Sequence, residues 1–84
     1  MKENWLEDIE GALKICVDDD NAARLIIQWL HDNHRVIFGP ACLPWIRNLV
    51  AKWRRKTPDV KQQAESIAGA IFKRYVPNTS REAR

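Results

Sequence analysis

The sequence predicts an all-α fold, a compact single-domain bundle of four short helices. Three observations carry that expectation. Three glycines and four prolines are too few to punctuate a turn-rich β protein. Apolar residues recur at helical rather than alternating spacing in four stretches. Each stretch also begins or ends on a helix boundary signal. At 84 residues, a chain buries only about 60% of the surface it exposes when unfolded. Such a domain acts through its outside and has little room for a deep substrate pocket.

The first helix is expected over about Trp5 to Val17. Asn4 is its expected N-cap, with Glu7 three residues on. Trp5, Leu6, Ile9, Leu13, Cys16 and Val17 fall on one face, and Glu7, Asp8, Glu10 and Lys14 face away. Acid near the start suits the helix dipole.

"DDDN" separates this helix from a second, over about Asn21 to Asn33, with Asp19 or Asp20 as N-cap. A calcium loop is excluded, because the twelve-residue pattern with a central Gly and a terminal Glu is absent. Ala22, Ala23, Leu25, Ile26, Ile27, Trp29 and Leu30 cover more than half of the circumference. So wide an apolar arc belongs in the middle of a bundle.

"HRVIFGPACLP" leads to the third helix, with Gly39-Pro40 as a turn and Pro44 in the first helical turn, where its missing N–H costs nothing. This helix runs to Arg55 or Lys56. Trp45, Ile46, Leu49, Val50 and Trp53 form its apolar arc of about 140°. Arg47, Lys52, Arg54, Arg55 and Lys56 take the remainder.

Thr57, Pro58 and Asp59 read as a compact restart, with Thr57 as N-cap and Pro58 at the first helical position. The fourth helix continues to about Tyr75 before Pro77. Its apolar face is Val60, Ala64, Ile67, Ala68, Ile71, Phe72 and Tyr75, and the small Ala64, Ala68, Gly69 and Ala70 allow close approach by another helix. The helical domain thus spans residues 1–77, and 78–84 form a flexible C-terminal tail. The expected core is Ile9, Leu13, Ile26, Trp29, Leu30, Leu49, Trp53, Ile67 and Ile71.

Charge divides the chain. Residues 1–33 carry eight acidic against three basic side chains, and residues 34–84 carry eleven basic against three acidic. This asymmetry points to an electrostatic partner, unless the two halves neutralise one another in the fold. Two cysteines, Cys16 and Cys42, do not make a disulfide framework and read as small buried hydrophobes. No signal-peptide core opens the sequence, so the expected location is cytoplasmic, and the "NTS" sequon at Asn78 carries no meaning there. "VIFGPACLPWI" is too short to span a bilayer, and no membrane role is expected.

No constellation for catalysis stands out. His31 and His34 in "HDNH" form only one local pair where structural zinc needs four ligands, and exposed histidines at a helix end explain them. Ser66, Ser80, Thr57, Thr79, Cys16 and Cys42 have no neighbouring base in sequence, and phosphate-loop and dinucleotide motifs are absent. The expectation is a non-enzyme without metal or cofactor.

The basic half carries the functional expectation. Lys52, Arg54, Arg55, Lys56 and Lys61 cluster where the third helix gives way to the fourth, and are the expected macromolecule-binding patch. Ile37, Phe38 and Leu43 form a second candidate, a hydrophobic docking site. Trp45 and Trp53 read as core, being on the apolar face of their helix. The expected function is a small regulatory protein, an inhibitor or adaptor acting through this basic face on nucleic-acid-handling machinery. Regulators and inhibitors from mobile elements offer a size analogy only. The alternative is direct DNA or RNA binding, with Lys61, Gln62, Gln63 and Ser66 as a helix-turn-helix reading head. In either case the partner is an acidic protein surface or a nucleic acid.

Overall fold

Each predicted stretch forms its helix, with boundaries shifted and in part set by capping groups. A computed structural model describes the backbone of residues 2–82 and the side chains of residues 5–74. The helices are α1 (Lys2–Ile15), α2 (Asp19–His34), α3 (Cys42–Lys56) and α4 (Val60–Glu82), with no strand among the described residues.

Helix α1 already includes Asn4, which is therefore inside the first turn and not its N-cap. It ends two residues before Val17, which is 90% exposed. The reason lies in the next helix. Asp18 caps α2 from an extended conformation (φ −76°, ψ 133°), its carboxylate accepting the Asn21 N–H at 2.9 Å. A residue in that conformation cannot also continue α1. The cap thus falls on Asp18, not on Asp19 or Asp20, whose carboxylates are held by arginines.

At its other end α2 closes on Arg35, a non-glycine residue in the left-handed region (φ 59°), whose N–H bonds to the His31 carbonyl at 3.0 Å. The chain then buries Val36, leaves Ile37 72% exposed, and turns at Pro40 and Ala41. The Cys42 N–H bonds to the Gly39 carbonyl at 3.1 Å, and Pro44 enters the first turn of α3 as expected.

Between α3 and α4, Thr57 is the extended C-cap of α3. Asp59 caps α4 instead: its carbonyl accepts the Gln63 N–H at 2.9 Å and its carboxylate the Lys61 N–H at 3.1 Å. Thr57 still contributes, its hydroxyl accepting the Asp59 N–H at 3.2 Å. Two residues able to cap stand side by side, and the later one wins because Thr57 is needed to end α3. Helix α4 continues past Tyr75 and through Pro77 to Glu82, and nothing among the described side chains accounts for the continuation. The expected tail at 78–84 concerns side chains, and at Ala83 and Arg84 backbone, outside the described residues.

Helix α1 packs on α2 and α4, and α3 packs on α2 and α4, so α1 and α3 stand at opposite corners. Ile9, Ile26, Leu30, Ile46, Val50, Ile67 and Ile71 fill the centre completely buried. Ala64 and Ala68 are buried as the small-residue spacing of α4 predicts, allowing close approach. Trp5 is buried as well, edge-on to Phe72 with ring centroids 5.6 Å apart.

Trp29, Leu49 and Trp53, expected in the core, are only half-buried against it. The centre line of α3 is Cys42, Ile46 and Val50, with Trp45, Leu49 and Trp53 along one flank. An apolar arc wider than the seam between two neighbours must leave one edge at the rim. The same holds for α2, which has two neighbours and is not central. Trp29 lies over Gly11, where an added Cβ would come within 3.2 Å of its ring. Glycine at that position leaves the indole room on α1.

Candidate interaction surface

Helix α3 contains no acidic residue, and neither does the whole stretch from Asn33 to Pro58. Its outward face is Arg47, Asn48, Lys52, Arg55 and Lys56, all exposed, with half-buried Ala51 between them. Five basic residues had been expected to act together, and the structure treats them differently.

Arg54 turns inward. Its Nη1 donates to the Val17 carbonyl at 2.7 Å and to Asp19 Oδ1 at 2.6 Å. Its Nη2 donates to the carbonyls of Leu13 at 3.0 Å and Cys16 at 2.5 Å. The last carbonyls of a helix lack intrahelical donors and concentrate negative partial charge. Arg54 answers both needs of α1 while tying it to the start of α2. Only the planar five-donor fork of arginine can reach so many acceptors at once.

Lys52 and Lys56 face outward on successive turns, and their ammonium groups lie 5.6 and 5.4 Å from the ring of Trp53. Arg74 stacks over Trp45 at 4.5 Å. The two tryptophans are thus half-buried and carry cations over their rings, neither sealed in the core nor bare. Arg55 is exposed on the same helix, and Lys61 is exposed across the Thr57–Asp59 turn.

The proposed reading head at the start of α4 is not assembled. Gln63 is buried and donates its amide to the Thr57 carbonyl at 2.6 Å, and Ser66 is half-buried. Gln62 is exposed, but its amide oxygen accepts from the Thr57 hydroxyl at 3.3 Å.

Some of the opposite charge is neutralised along the α2–α3 seam. Besides Asp19 with Arg54, Asp20 accepts from Arg24 at 2.7 Å and lies 3.6 Å from Arg47. The Arg24 hydrogen bond is the main reason the Asp20 carboxyl titrates below the usual carboxylate range, with Arg47 adding to it. Among the described residues, the acids of α1 and the cations of outer α3 stand at opposite corners and form no ion pair.

The histidines divide as well. His31 is exposed, its Nδ1 3.2 Å from the Val36 carbonyl. His34, expected to be exposed, is half-buried with Nε2 2.8 Å from Asp8 Oδ2. The reason is tertiary: α1 brings Asp8 and Trp5 beside the end of α2. Among the described residues, no group of three or more His, Cys, Asp or Glu is placed to hold a metal. Cys42 is buried and Cys16 half-buried, both as free thiols. Among the described residues, no helix is long and apolar enough to cross a membrane.

A cleft of about 490 Å³ opens where Arg24, Ile27 and Gln28 of α2 face Phe38, Pro40 and Leu43. The structure therefore joins Phe38 and Leu43 of the second candidate and leaves Ile37 outside. Arg24, Ile27 and Gln28 carried no functional signal in the sequence, since the cleft exists only where α2 meets the connector. Comparison with protein-family models, curated proteins and solved structures finds no match to this chain.

Proposed function

We propose that this chain is a small non-enzymatic regulator that docks the outer face of α3 onto an acidic surface of another protein. One observation carries the reading: Arg47, Lys52, Arg55 and Lys56 are exposed along a helix that holds no carboxylate. Cations in the last turn complement the helix dipole, which accounts for Arg55 and Lys56. It does not account for Lys52, and Arg47 only shares the Asp20 carboxylate with Arg24. Like charges one turn apart, such as Lys52 and Lys56, destabilise a helix by about 0.2–0.5 kcal/mol. Contact with Trp53 offsets part of that repulsion. A partner carboxylate surface offsets the rest and gains association rate from the field.

Protein is favoured over nucleic acid by the tryptophans and by α4. The ring faces on which bases would stack carry Lys52, Lys56 and Arg74 instead, and Gln63 points inward.

The test uses Arg55→Glu with Lys56→Glu, leaving the internally bonded Arg54 intact. Capture of a protein from nuclease-treated host lysate by the wild type, lost in the folded double variant, supports the reading. Titration of labelled duplex and single-stranded DNA at about 50 and about 200 mM salt tests the alternative. Tight DNA binding that falls steeply with salt overturns the protein reading.

A further inference from the structure

We infer that the α2–connector cleft and the basic face of α3 form one continuous site, which takes an acidic helical segment of a partner protein bearing a single bulky apolar anchor. The inference rests on the basic-face reading and names the chemistry of its partner. Leu43 lines the cleft. Arg47, Ala51 and Arg55 follow it at intervals of four residues, so the four share one ridge of α3. At 1.5 Å rise per residue, Arg47 lies about 6 Å and Arg55 about 18 Å along the helix from Leu43.

The cleft supplies the apolar end through Ile27, Phe38 and Leu43, and its polar edge through Arg24 and Gln28. Arg24 also marks where the charge begins. Arg24 and Arg47 converge on the single carboxylate of Asp20, at 2.7 and 3.6 Å. Two guanidinium groups against one carboxylate leave a positive charge beside the Arg24 edge of the cleft. Past that point the ridge continues through Ala51, a short side chain that allows close approach, to Arg55. Anions are therefore favoured along α3, while an apolar side chain is favoured in the cleft. A nucleic acid backbone supplies the first and has nothing to place in the second. An acidic helix with an anchor supplies both, and repeats the four-residue period of the ridge.

The probe is a fluorescein-labelled alanine-rich helical peptide of about 16 residues, long enough to cover the ridge. It carries Leu near one end and Glu at the i+4, i+8 and i+12 positions after it. A control peptide replaces Leu by Ala. Fluorescence anisotropy compares both on the full chain at low salt. The wild type is expected to bind the Leu peptide roughly tenfold more tightly, the scale for partial burial of one leucine in an open cleft. Gly39→Gln tests the location without threatening the fold. Gly39 lines the cleft, has no positive φ, and an added Cβ there meets no atom within 4 Å. A longer side chain at this lining position has room to take up part of the cleft and is expected to weaken the preference for Leu. Arg47→Glu is expected to weaken both peptides.

Equal affinity of the two peptides for the wild type overturns the inference, as does an undiminished Leu preference in a folded Gly39→Gln variant. If the Ala peptide still binds, and loses binding in Arg55→Glu with Lys56→Glu, the basic face stands and only the anchor falls. If neither peptide binds while duplex DNA does, both readings fall.

Discussion

Replacing Arg54 by alanine should destabilise this domain more than any other single charge removal on α3. The side chain is only 21% exposed and makes four hydrogen bonds, three to carbonyls at the end of α1 and one to Asp19. A hydrogen bond involving a charged group contributes about 1.5–3 kcal/mol net when buried. Because Val17 is at the surface, water replaces part of the loss there, and the exposed part of the Asp19 pair is screened. The expected cost is about 2–4 kcal/mol. A domain of this size holds roughly 4–13 kcal/mol in total, and each kcal/mol moves the melting temperature by about 4–8 °C. Thermal denaturation followed by circular dichroism should therefore show a fall of roughly 8–32 °C, and urea denaturation a matching loss of stability. Arg54→Lys retains the charge but not the fork, and should recover less than half of the loss. Arg55→Ala, one residue on and exposed, should change stability by under about 0.5 kcal/mol. A melting temperature for Arg54→Ala equal to that of Arg55→Ala would show that the α1 carbonyls need no such donor.

Ile46→Ala, at a completely buried position, should cost about 2–5 kcal/mol in urea denaturation, and Leu49→Ala, at the rim of the core, about half of that; the reverse order would refute the assignment of the α3 centre line. Gly69→Ala should stabilise by about 0.5–1 kcal/mol, because the position is inside α4 and an added Cβ meets open space. A lower melting temperature in that variant would mean the position is occupied. The Asp20 carboxyl is held below its ordinary range, so its contribution to stability is present above the unfolded-state range. It is lost as pH falls through the folded value. The wild type should therefore exceed Asp20→Asn in stability near neutral pH and converge with it in acid, and a gap that widens on acidification contradicts the Arg24–Asp20–Arg47 arrangement.

Four helices and their order were legible from residue spacing, because an amphipathic period and a capping signal are local properties. Pro44 and the Gly39–Pro40 turn were legible for the same reason. Boundaries slipped where two or three candidate caps stood in a row. Asp18, Asp19 and Asp20 have the same chemistry; Arg24 occupies Asp20 within α2 itself, and Arg54 arriving from α3 occupies Asp19, which leaves Asp18 to cap α2. The site was legible as a basic segment and not as a surface. Arg54 and Arg55 are adjacent in sequence and differ by about 100° around the helix, which turns one inward to α1 and leaves the other outward. No spacing rule can foresee that Leu13 and Val17, roughly forty residues earlier, will present bare carbonyls to Arg54. The cleft is likewise absent from any single segment, since α2 supplies one wall and the connector with Leu43 of α3 the other. Local periodicity was thus enough to specify the helices and their charge, whereas tertiary packing decided which flank of each helix was covered and which cations stayed exposed.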